Sequence, residues 1–438
     1  MIEVDPGLAR AACLYIPLSL TAALLLHQRP DRRMFGAAAL SLAWNIPALL
    51  VLHVLAGWAG WWSFPQPGHA LLGLSVELYL GWALLWGPVS LLALGRLHPA
   101  FAVAIAGLLD LVFMPLLSSL LTLGPLWPVG EAIGVCLCFL PALFLGRWTR
   151  DDVYLTGRLA LQVTGYASIL LGVIPSIVVQ QTGGSLETTL GRPGWLNGLA
   201  LQILLAPVTL GITAVSEFGR TGRGTPVPFD PPKQLVITGP YAYLRSPMQL
   251  SCALLLAGWG WFLDSPLVAA GALIALVYGA GFAGFDEDRD MALRFGKQWD
   301  VYRQGVPKWW PRWRPYVDPQ KPSPTLYIAE TCDLCSQLAA WVVKRQPAGL
   351  QLIAAENHAV CPPNRLTYEW NDGSWPERGV MALARTLEHI NLGWALLGWI
   401  LRLPLLSQAI QLLVDASGGG PRRLPTRGEV SRRETAIG

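Results

Sequence analysis

The sequence GPYAYLRSPMQL occupies residues 239–250, and FDEDRDMALRFGKQWDVYRQGVP follows at residues 285–307. These two polar pieces flank a pair of short apolar segments, in a chain that is mostly apolar before residue 320. A bilayer tolerates polar backbone rich in glycine and proline only where it lines a cavity or lies at the membrane surface. The two pieces are therefore where we first expect a binding site.

The composition indicates an integral membrane protein. Of the 438 residues, 53% are hydrophobic and only 14% are charged, whereas soluble domains carry roughly a quarter charged residues. The formal net charge of +4 is small and predicts no nucleic-acid partner. The N-terminus MIEVDPGLAR is acidic before it is basic, unlike a cleaved signal peptide. We therefore expect the first apolar run to be retained as a helix.

Nine apolar segments approach the length of about 20 residues that a spanning helix needs. The last two are short, and their tight connection through Asp264 and Ser265 predicts a helical hairpin. Basic residues concentrate in the odd-numbered connections and after the ninth segment. Cytoplasmic loops carry such an excess, so we expect the N-terminus outside, and both polar pieces and the C-terminus in the cytoplasm. The segments lie near residues 8–27, 36–58, 70–94, 100–122, 128–147, 159–180, 195–217, 248–263 and 265–285.

The first polar piece contains a helix start. Serine is a favoured N-cap and proline suits the first helical position, so Ser246 and Pro247 predict that the eighth helix begins there. Its free N–H groups and positive dipole end, beside Arg245, would form an anion site able to hold a carboxylate. Tyr241 and Tyr243 precede this start and offer flat ring faces and hydroxyls.

The second polar piece predicts a short amphipathic helix. Glu287 and Asp288 open it, and their carboxylates can accept hydrogen bonds from a ribose or an amino group. Gly296 is expected to interrupt the helix, and Gly305 with Pro307 is expected to end it.

The two pieces resemble the integral-membrane methyltransferases of the isoprenylcysteine carboxyl methyltransferase and phospholipid methyltransferase type. The resemblance covers about residues 195–315. The stretch GRGTPVPFDPPKQLVITGP, residues 222–240, is similar to the bacterial branch and implies a bacterial inner (plasma) membrane. The matching positions, in the family's order, are Gly239, Pro240, Tyr241, Arg245, Pro247, Met248, Glu287, Phe295, Gly296, Tyr302, Val306 and Pro307.

The resemblance implies methyl transfer from S-adenosylmethionine to a lipid-borne or isoprenoid-type acceptor. The polar donor would enter from the cytoplasm and the apolar acceptor from the bilayer. Because the reaction is an in-line displacement, holding both reactants in line supplies much of the rate, and no metal is needed. The cofactor-binding residues implied are Gly239, Tyr241, Tyr243, Arg245, Ser246, Pro247, Met248, Glu287 and Asp288.

The sequence departs from the family pattern at several positions. Ser246 stands where the family usually has His or Asn, and Asp288 replaces a second Glu. Gln249, Met291 and Trp299 replace Tyr, Leu and Tyr. The loss of an imidazole leaves three outcomes open: weaker cofactor binding, a changed substrate or an inactive enzyme.

A second motif follows a proline-rich linker at residues 316–325. Cys332-Asp-Leu-Cys335 lies between a predicted strand at 325–329 and a predicted helix, and another strand is expected at 350–355. A thiol at a helix N-terminus has its thiolate stabilised, so we expect Cys332 to be the nucleophile and Cys335 the resolving thiol. A thiol protein or a small thiol would be the partner.

The order of these elements resembles thioredoxin-like folds. The later stretch, with a helix at 392–413 broken near Pro404, is similar to the DCC-type thiol-disulfide oxidoreductases over about residues 324–425. Two alternatives stay open. One is an inert thioredoxin-like domain with structural thiols. The other is half of a zinc site, for which His358 and Cys361 are the nearest further ligands, although a zinc site needs about four.

Three carboxylates fall within predicted spans. Such residues are costly in a bilayer and usually face a cavity or a partner. We expect Glu77 and Asp110 to line an acceptor or proton path, while Glu131 belongs either to that path or to the outer interface.

The sequence thus predicts a polytopic α-helical membrane protein with a small α/β thioredoxin-like domain. The leading hypothesis is a lipid-directed methyltransferase that carries a redox domain. The alternative is a membrane-anchored thiol-disulfide oxidoreductase on a non-catalytic methyltransferase-like scaffold. A transporter is a third possibility, but no inverted repeat is visible. The expected domains are residues 1–190, of unknown role; 191–318, the methyltransferase-like core; 319–425, the CxxC domain; and 426–438, a disordered tail.

Overall fold

The computed structural model describes residues 5–64, 70–71, 73–182, 191–227, 230–280, 282–360, 362–371 and 373–422, with the side chains of residues 70, 278, 280 and 282–287 outside that description. The chain divides into two compact units. The first comprises Met1–Arg192, Arg223–Pro232 and Trp259–Ala269. The second comprises Pro193–Gly222, Lys233–Gly258 and Ala270–Gly438.

Seven helices in the described part of the chain are long and apolar enough to cross a membrane. They correspond to the first seven predicted spans, which this test of length and composition confirms. The third begins at Val76 rather than near residue 70, and the fourth ends at Leu116 rather than near residue 122. The helices are α1 (Pro6–Gln28), α2 (Arg32–Ala59), α3 (Val76–Leu94), α4 (Pro99–Leu116), α5 (Trp127–Asp151), α6 (Leu155–Gln181) and α7 (Gly194–Gly222).

The eighth and ninth predicted spans are helices, but short ones. Helix α8 (Pro247–Phe262) has 16 residues and α9 (Pro266–Ala280) has 15, fewer than the 18 residues of the shortest helix counted above. The predicted hairpin between them is confirmed. Asp264 adopts a left-handed φ of 56°, and Gly260 lies so close to Ala269 that a Cβ there would be 2.2 Å from the Ala269 nitrogen.

Two short helices follow α9. They are α10 (Phe282–Phe295) and α11 (Lys297–Gly305). Gly296 separates them with a φ of 51°, and Gly305 is the last residue of α11. The predicted interruption and the predicted end of this helical piece are therefore confirmed.

The second and fourth connections of the first unit pair with each other through short strands. Strand β1 (Trp62–Ser63) follows α2, and β2 (Ala70–Leu71) pairs with β3 (Leu74–Ser75) before α3. Strand β4 (Thr122–Leu123) follows α4 and pairs with β1. The second and fourth connections therefore lie side by side.

Three odd-numbered connections of the first unit meet through four charged side chains. Arg33, in the first turn of α2, lies 2.9 Å from Asp152 and 3.0 Å from Asp230. Arg158 lies 2.8 Å from Asp152 and 2.7 Å from Asp230. The group is formally neutral and joins the first, fifth and seventh connections. The alternation of basic residues predicts such an arrangement, and the orientation relative to the cytoplasm stays a prediction.

The C-terminal part of the second unit contains a four-stranded sheet. Its strands are β5 (Thr325–Ile328), β6 (Gln351–Ala354), β7 (Thr367–Glu369) and β8 (Glu377–Arg378), in the spatial order β6-β5-β7-β8. Strands β5 and β6 are parallel, while β7 is antiparallel to both β5 and β8. Helix α12 (Asp333–Lys344) connects β5 to β6. The predicted order of strand, CxxC, helix and strand is confirmed.

Three helices complete this sheet domain. They are α13 (Val380–Glu388), α14 (Leu392–Leu401) and α15 (Leu406–Val414). The break predicted near Pro404 is confirmed, because α14 and α15 meet at 89° and Leu405 between them has a φ of 66°. Residues 418–422 are described, whereas the predicted tail 426–438 lies outside the described residues.

A buried histidine joins the end of α13 to the sheet. His389 Nδ1 lies 2.7 Å from the Ala348 carbonyl, and its Nε2 lies 2.9 Å from the Tyr368 hydroxyl. Burial lowers the pKa of His389 to about 4. The neutral ring donates from Nδ1 to the carbonyl and accepts at Nε2 from the hydroxyl.

Candidate functional sites

The two thiols of the CxxC motif lie together at the start of α12. Cys332 is the N-cap residue, and the helix begins at Asp333. Because Cys335 follows three residues later, both side chains lie on the same face of the helix. The Cys335 thiol donates to Cys332 Sγ at 2.7 Å. Cys332 is only 8% exposed.

The surroundings of the two thiols shift their pKa values in opposite directions. The hydrogen bond from Cys335 lowers the pKa of Cys332 against the effect of burial, and main-chain N–H groups and Arg422 add to this. Burial, followed by its bond to Cys332, raises the pKa of Cys335 to about 11. Cys332 is therefore the more readily ionised thiol, and Cys335 stays protonated near neutral pH.

A carboxylate that the sequence analysis missed holds the loop before Cys332. Glu356, just after β6, accepts hydrogen bonds from the N–H groups of Glu330 and Thr331 at 3.2 and 3.1 Å. It also accepts one from the Thr331 hydroxyl at 2.8 Å. Burial opposes ionisation, but these bonds lower the pKa of Glu356. Nothing in the spacing of the sequence identifies this residue.

His358, one of the two further ligands of the zinc alternative, contacts a carboxylate and an aromatic ring. His358 Nε2 is 3.2 Å from Glu369, and its ring packs edge-on against Tyr327 at 4.7 Å. Cys361 lies outside the described residues. Over the described part of the chain, no group of three or more His, Cys, Asp or Glu side chains could hold a metal ion.

The two polar pieces of the second unit lie against each other. The N–H groups of Arg245 and Ser246 donate to the carbonyls of Pro307 and Lys308 at 3.0 and 3.3 Å. The Tyr302 hydroxyl donates to the Tyr241 carbonyl at 2.8 Å. Residues about 60 positions apart are therefore neighbours, as a shared site requires.

The guanidinium of Arg245 lies near two side chains of the second polar piece. Its guanidinium is 3.8 Å from the Asp288 carboxylate and 5.7 Å from the centre of the Trp299 ring. Its Nε is buried and has no hydrogen-bond partner among the described residues. Ser246, 6% exposed, immediately precedes α8, whose first residue is Pro247. The side chain of Glu287 lies outside the described residues.

The other predicted cofactor residues are packed within the protein. Tyr243 is fully buried, its hydroxyl donates to the Glu388 carbonyl at 2.8 Å, and its ring packs edge-on against Trp399 at 5.8 Å. Tyr241 and Met248 belong to one apolar cluster. Tyr243 was expected to offer a flat ring face and a hydroxyl to the cofactor, whereas its hydroxyl is bonded to Glu388 and its ring is buried in the protein.

Gly239 approaches a group of buried charges. Its φ is 58°, and a Cβ there would lie 3.1 Å from the Glu217 side chain and 3.2 Å from Arg402. Arg402 donates to Glu217 at 2.6 Å and to Glu388 at 2.5 Å. Glu217 is completely buried near the end of α7.

We call this group the buried ion cluster. Arg385 lies 2.8 Å from Glu217, 3.1 Å from Glu388 and 3.1 Å from Glu377. Arg220, whose side chain is 56% exposed, pairs with Glu377 at 3.0 Å at the edge of the cluster. Sequence analysis missed this cluster, although charges in apolar helices are a signal of it. Its members are Glu217, Arg220, Glu377, Arg385, Glu388 and Arg402.

The predicted membrane carboxylates occupy different settings in the first unit. Asp110 is 5% exposed, accepts from the Trp86 indole at 3.1 Å and lines a largely apolar cavity of about 120 Å³ between α3 and α4. Glu131 is 7% exposed, and neither of its carboxylate oxygens has a hydrogen-bond partner in the described residues. Glu77 lies in the first turn of α3 and accepts from Ser75 at 2.7 Å. The three residues are therefore not equivalent.

Comparison with protein-family models, curated proteins and solved structures finds no match for this chain.

Proposed function

We propose that the protein is a membrane-anchored thiol-disulfide oxidoreductase, with Cys332 as the nucleophile and Cys335 as the resolving thiol. The observation that carries the proposal is the 2.7 Å approach of the two sulfurs at the start of α12. That helix follows an inner strand of a β6-β5-β7-β8 sheet, a strand order compatible with a thioredoxin-like domain. Apolar helices long enough to cross a bilayer precede the domain and would hold it at the membrane.

The exchange follows from the different acidities of the two thiols. The Cys332 thiolate attacks one sulfur of a substrate disulfide, the substrate S–S bond breaks, and the leaving thiolate takes a proton. Cys335 then loses its proton, and its thiolate attacks Cys332 Sγ in the mixed disulfide. This step forms the Cys332–Cys335 disulfide and releases the second substrate thiol. Two electrons pass from the dithiol to the substrate, and a small thiol or a thiol protein would restore the dithiol.

Redox titration tests this proposal on the full chain in detergent. The protein is equilibrated in glutathione buffers of defined potential, and the oxidised fraction is measured by alkylation and mass spectrometry. We expect a two-electron transition that is lost in Cys335→Ser and kept in Cys252→Ser, a control thiol located in α8. If the peptide that holds Cys332 and Cys335 shows no disulfide at any potential, the proposal is wrong.

A second candidate function is methyl transfer to a lipid-borne acceptor, as the family resemblance implies. The observation that favours it is Arg245, because its buried Nε has no hydrogen-bond partner among the described residues and its side chain is only 16% exposed. A partly buried guanidinium with a spare N–H donor fits a carboxylate. S-adenosylmethionine, when bound, would supply the electrophilic methyl group. Arg245 would hold its carboxylate, and Asp288 would accept from its amino group or ribose.

Calorimetry with S-adenosylhomocysteine separates the two candidates. Micromolar binding that Arg245→Ala and Asp288→Asn abolish would support methyl transfer. Arg303→Ala, which removes an arginine that is 46% exposed in a pair with Asp300, is the matched control. Absence of binding to the folded wild-type protein would refute this second candidate. Labelled cofactor with a lipid extract would then identify the acceptor.

A further inference from the structure

The last described residues return to the CxxC site. Arg422 Nη1 lies 3.5 Å from Cys332 Sγ. Its Nη2 donates to the Gly418 carbonyl at 3.0 Å, and its main-chain N–H donates to the Asn364 carbonyl at 2.8 Å. Backbone and side chain are thus both held, so the approach to the sulfur does not rest on one flexible contact.

The segment that carries Arg422 is itself anchored to the domain. Asp415, at the end of α15, forms a bidentate ion pair with Arg365. The two guanidinium Nη atoms donate to the two carboxylate oxygens at 2.5 and 2.8 Å. Gln411, one turn earlier, accepts from the Val380 N–H at 2.8 Å. These contacts fix α15, and through it the position from which the chain reaches the thiol.

We propose that Arg422 is a thiolate-stabilising residue of the CxxC site, in which the C-terminal segment supplies a positive charge that helps to hold Cys332 as a thiolate for attack. This inference rests on the proposed thiol-disulfide exchange. A guanidinium beside a sulfur stabilises the anion by charge and by a hydrogen bond. The motif and the start of α12 alone supply no side-chain cation.

In the described part of the chain, the other charged residues noted around the motif are acidic. Glu356 faces the site and helps to raise the pKa of Cys335, while Glu330 and Asp333 flank Cys332 in the chain. Cys335 donates to Cys332 and makes the larger contribution to its acidity, with Arg422 adding to it. We therefore expect the effect of Arg422 to be that of a partly exposed ion pair, a two- to fivefold change in the thiol–thiolate equilibrium.

The test is the pH profile of Cys332 alkylation in the full chain. The reduced protein in detergent is treated with iodoacetamide from pH 5 to pH 10, and modification of the Cys332 peptide is followed by mass spectrometry. In Arg422→Gln we expect the profile to move to higher pH, with a two- to fivefold smaller thiolate fraction below the midpoint. Arg422→Lys keeps the charge and should stay near wild type, whereas Arg422→Glu should move the profile further. Arg378→Gln, which removes an exposed arginine from β8, is the control.

Different outcomes separate this inference from the proposed function. A wild-type Cys332 that reacts only at high pH, with no disulfide formed in glutathione buffers, would refute the proposed function. A wild-type Cys332 that ionises at low pH and forms the disulfide, together with an unchanged profile in Arg422→Gln, would refute only the role of Arg422. A purely structural role would lower the rate at every pH without moving the midpoint, and that result also counts against the inference.

Discussion

Replacement of Arg402 by methionine tests whether the buried ion cluster stabilises the second unit. Arg402 is paired with Glu217 and Glu388, and its side chain is 2% exposed. The six members of the cluster are formally neutral, so removing one cation leaves a buried negative charge uncompensated. Breaking a buried pair from one side costs about 3–5 kcal/mol. Because methionine keeps much of the apolar packing of the arginine stem, we expect Arg402→Met to lower the free energy of unfolding by about that amount.

A double variant separates the charge from the loss of packing. Glu388→Gln added to Arg402→Met restores the formal neutrality of the cluster and keeps a polar side chain at position 388. Contacting residues couple by about 0.5–3 kcal/mol, so the double variant should be more stable than the sum of the single changes predicts. The free energies of unfolding would be measured in urea, with the protein in detergent micelles. Pulse proteolysis would report the unfolded fraction of the CxxC domain at each urea concentration.

The control is Arg303→Met, since Arg303 forms an exposed pair with Asp300 on α11. Exposed pairs contribute about 0–1 kcal/mol, so this variant should unfold near the wild-type urea concentration. This prediction is refuted if Arg402→Met is as stable as the control, or if the effects of the two single changes on the free energy of unfolding simply add. In either case the charges of the cluster do not stabilise the domain.

Three further outcomes are expected. Iodoacetamide at pH 7 should modify Cys332 well before Cys335, whose pKa of about 11 keeps it protonated; equal rates measured by peptide mass spectrometry would contradict this. His389 has its pKa lowered from 6.5 to about 4, so its stabilising effect is full above pH 6.5 and is lost as pH falls toward 4. The difference in thermal midpoint between wild type and His389→Gln should therefore shrink over that range, and a constant difference would refute it. Gly239→Ala should destabilise by about 1–3 kcal/mol more than Gly296→Ala, because both positions have positive φ but a Cβ at Gly296 meets nothing within 4 Å; equal urea midpoints would refute the crowding argument.

Local chemistry made part of this architecture predictable. The Ser246–Pro247 pair favours a helix start, and α8 begins at Pro247. The short connection at Asp264 and Ser265 predicts a hairpin that the left-handed φ of Asp264 closes. The CxxC spacing predicts two thiols on one face of a helix, and Cys335 donates to Cys332. In each case the determinants lie within a few residues of the feature that they specify.

Features that depend on distant partners could not be predicted in the same way. Tyr243 was predicted to bind the cofactor because it lies next to the Arg245–Met248 motif in the sequence. Its actual partners, Glu388 and Trp399, follow about 150 residues later and bury it completely. Glu356 and Arg422 likewise reach the CxxC loop from distant segments. No periodicity or local motif connects such positions, since the fold alone makes them neighbours.

The packing of residues 239–246 bears on how both proposed activities should be tested. Tyr243 is held by Glu388 and Trp399 of the CxxC domain. Only two residues later, Arg245 faces Asp288 and Trp299 at the candidate methyl-transfer site. Residues 239–246 therefore contact two parts of the second unit, the CxxC domain on one side and the second polar piece on the other. A substitution that disturbs the packing of this segment would reduce both activities together. A substitution that removes only a reacting or binding group would reduce only the activity that uses that group. Measuring redox exchange and S-adenosylhomocysteine binding on every variant therefore distinguishes a residue that takes part in chemistry from one that supports the fold.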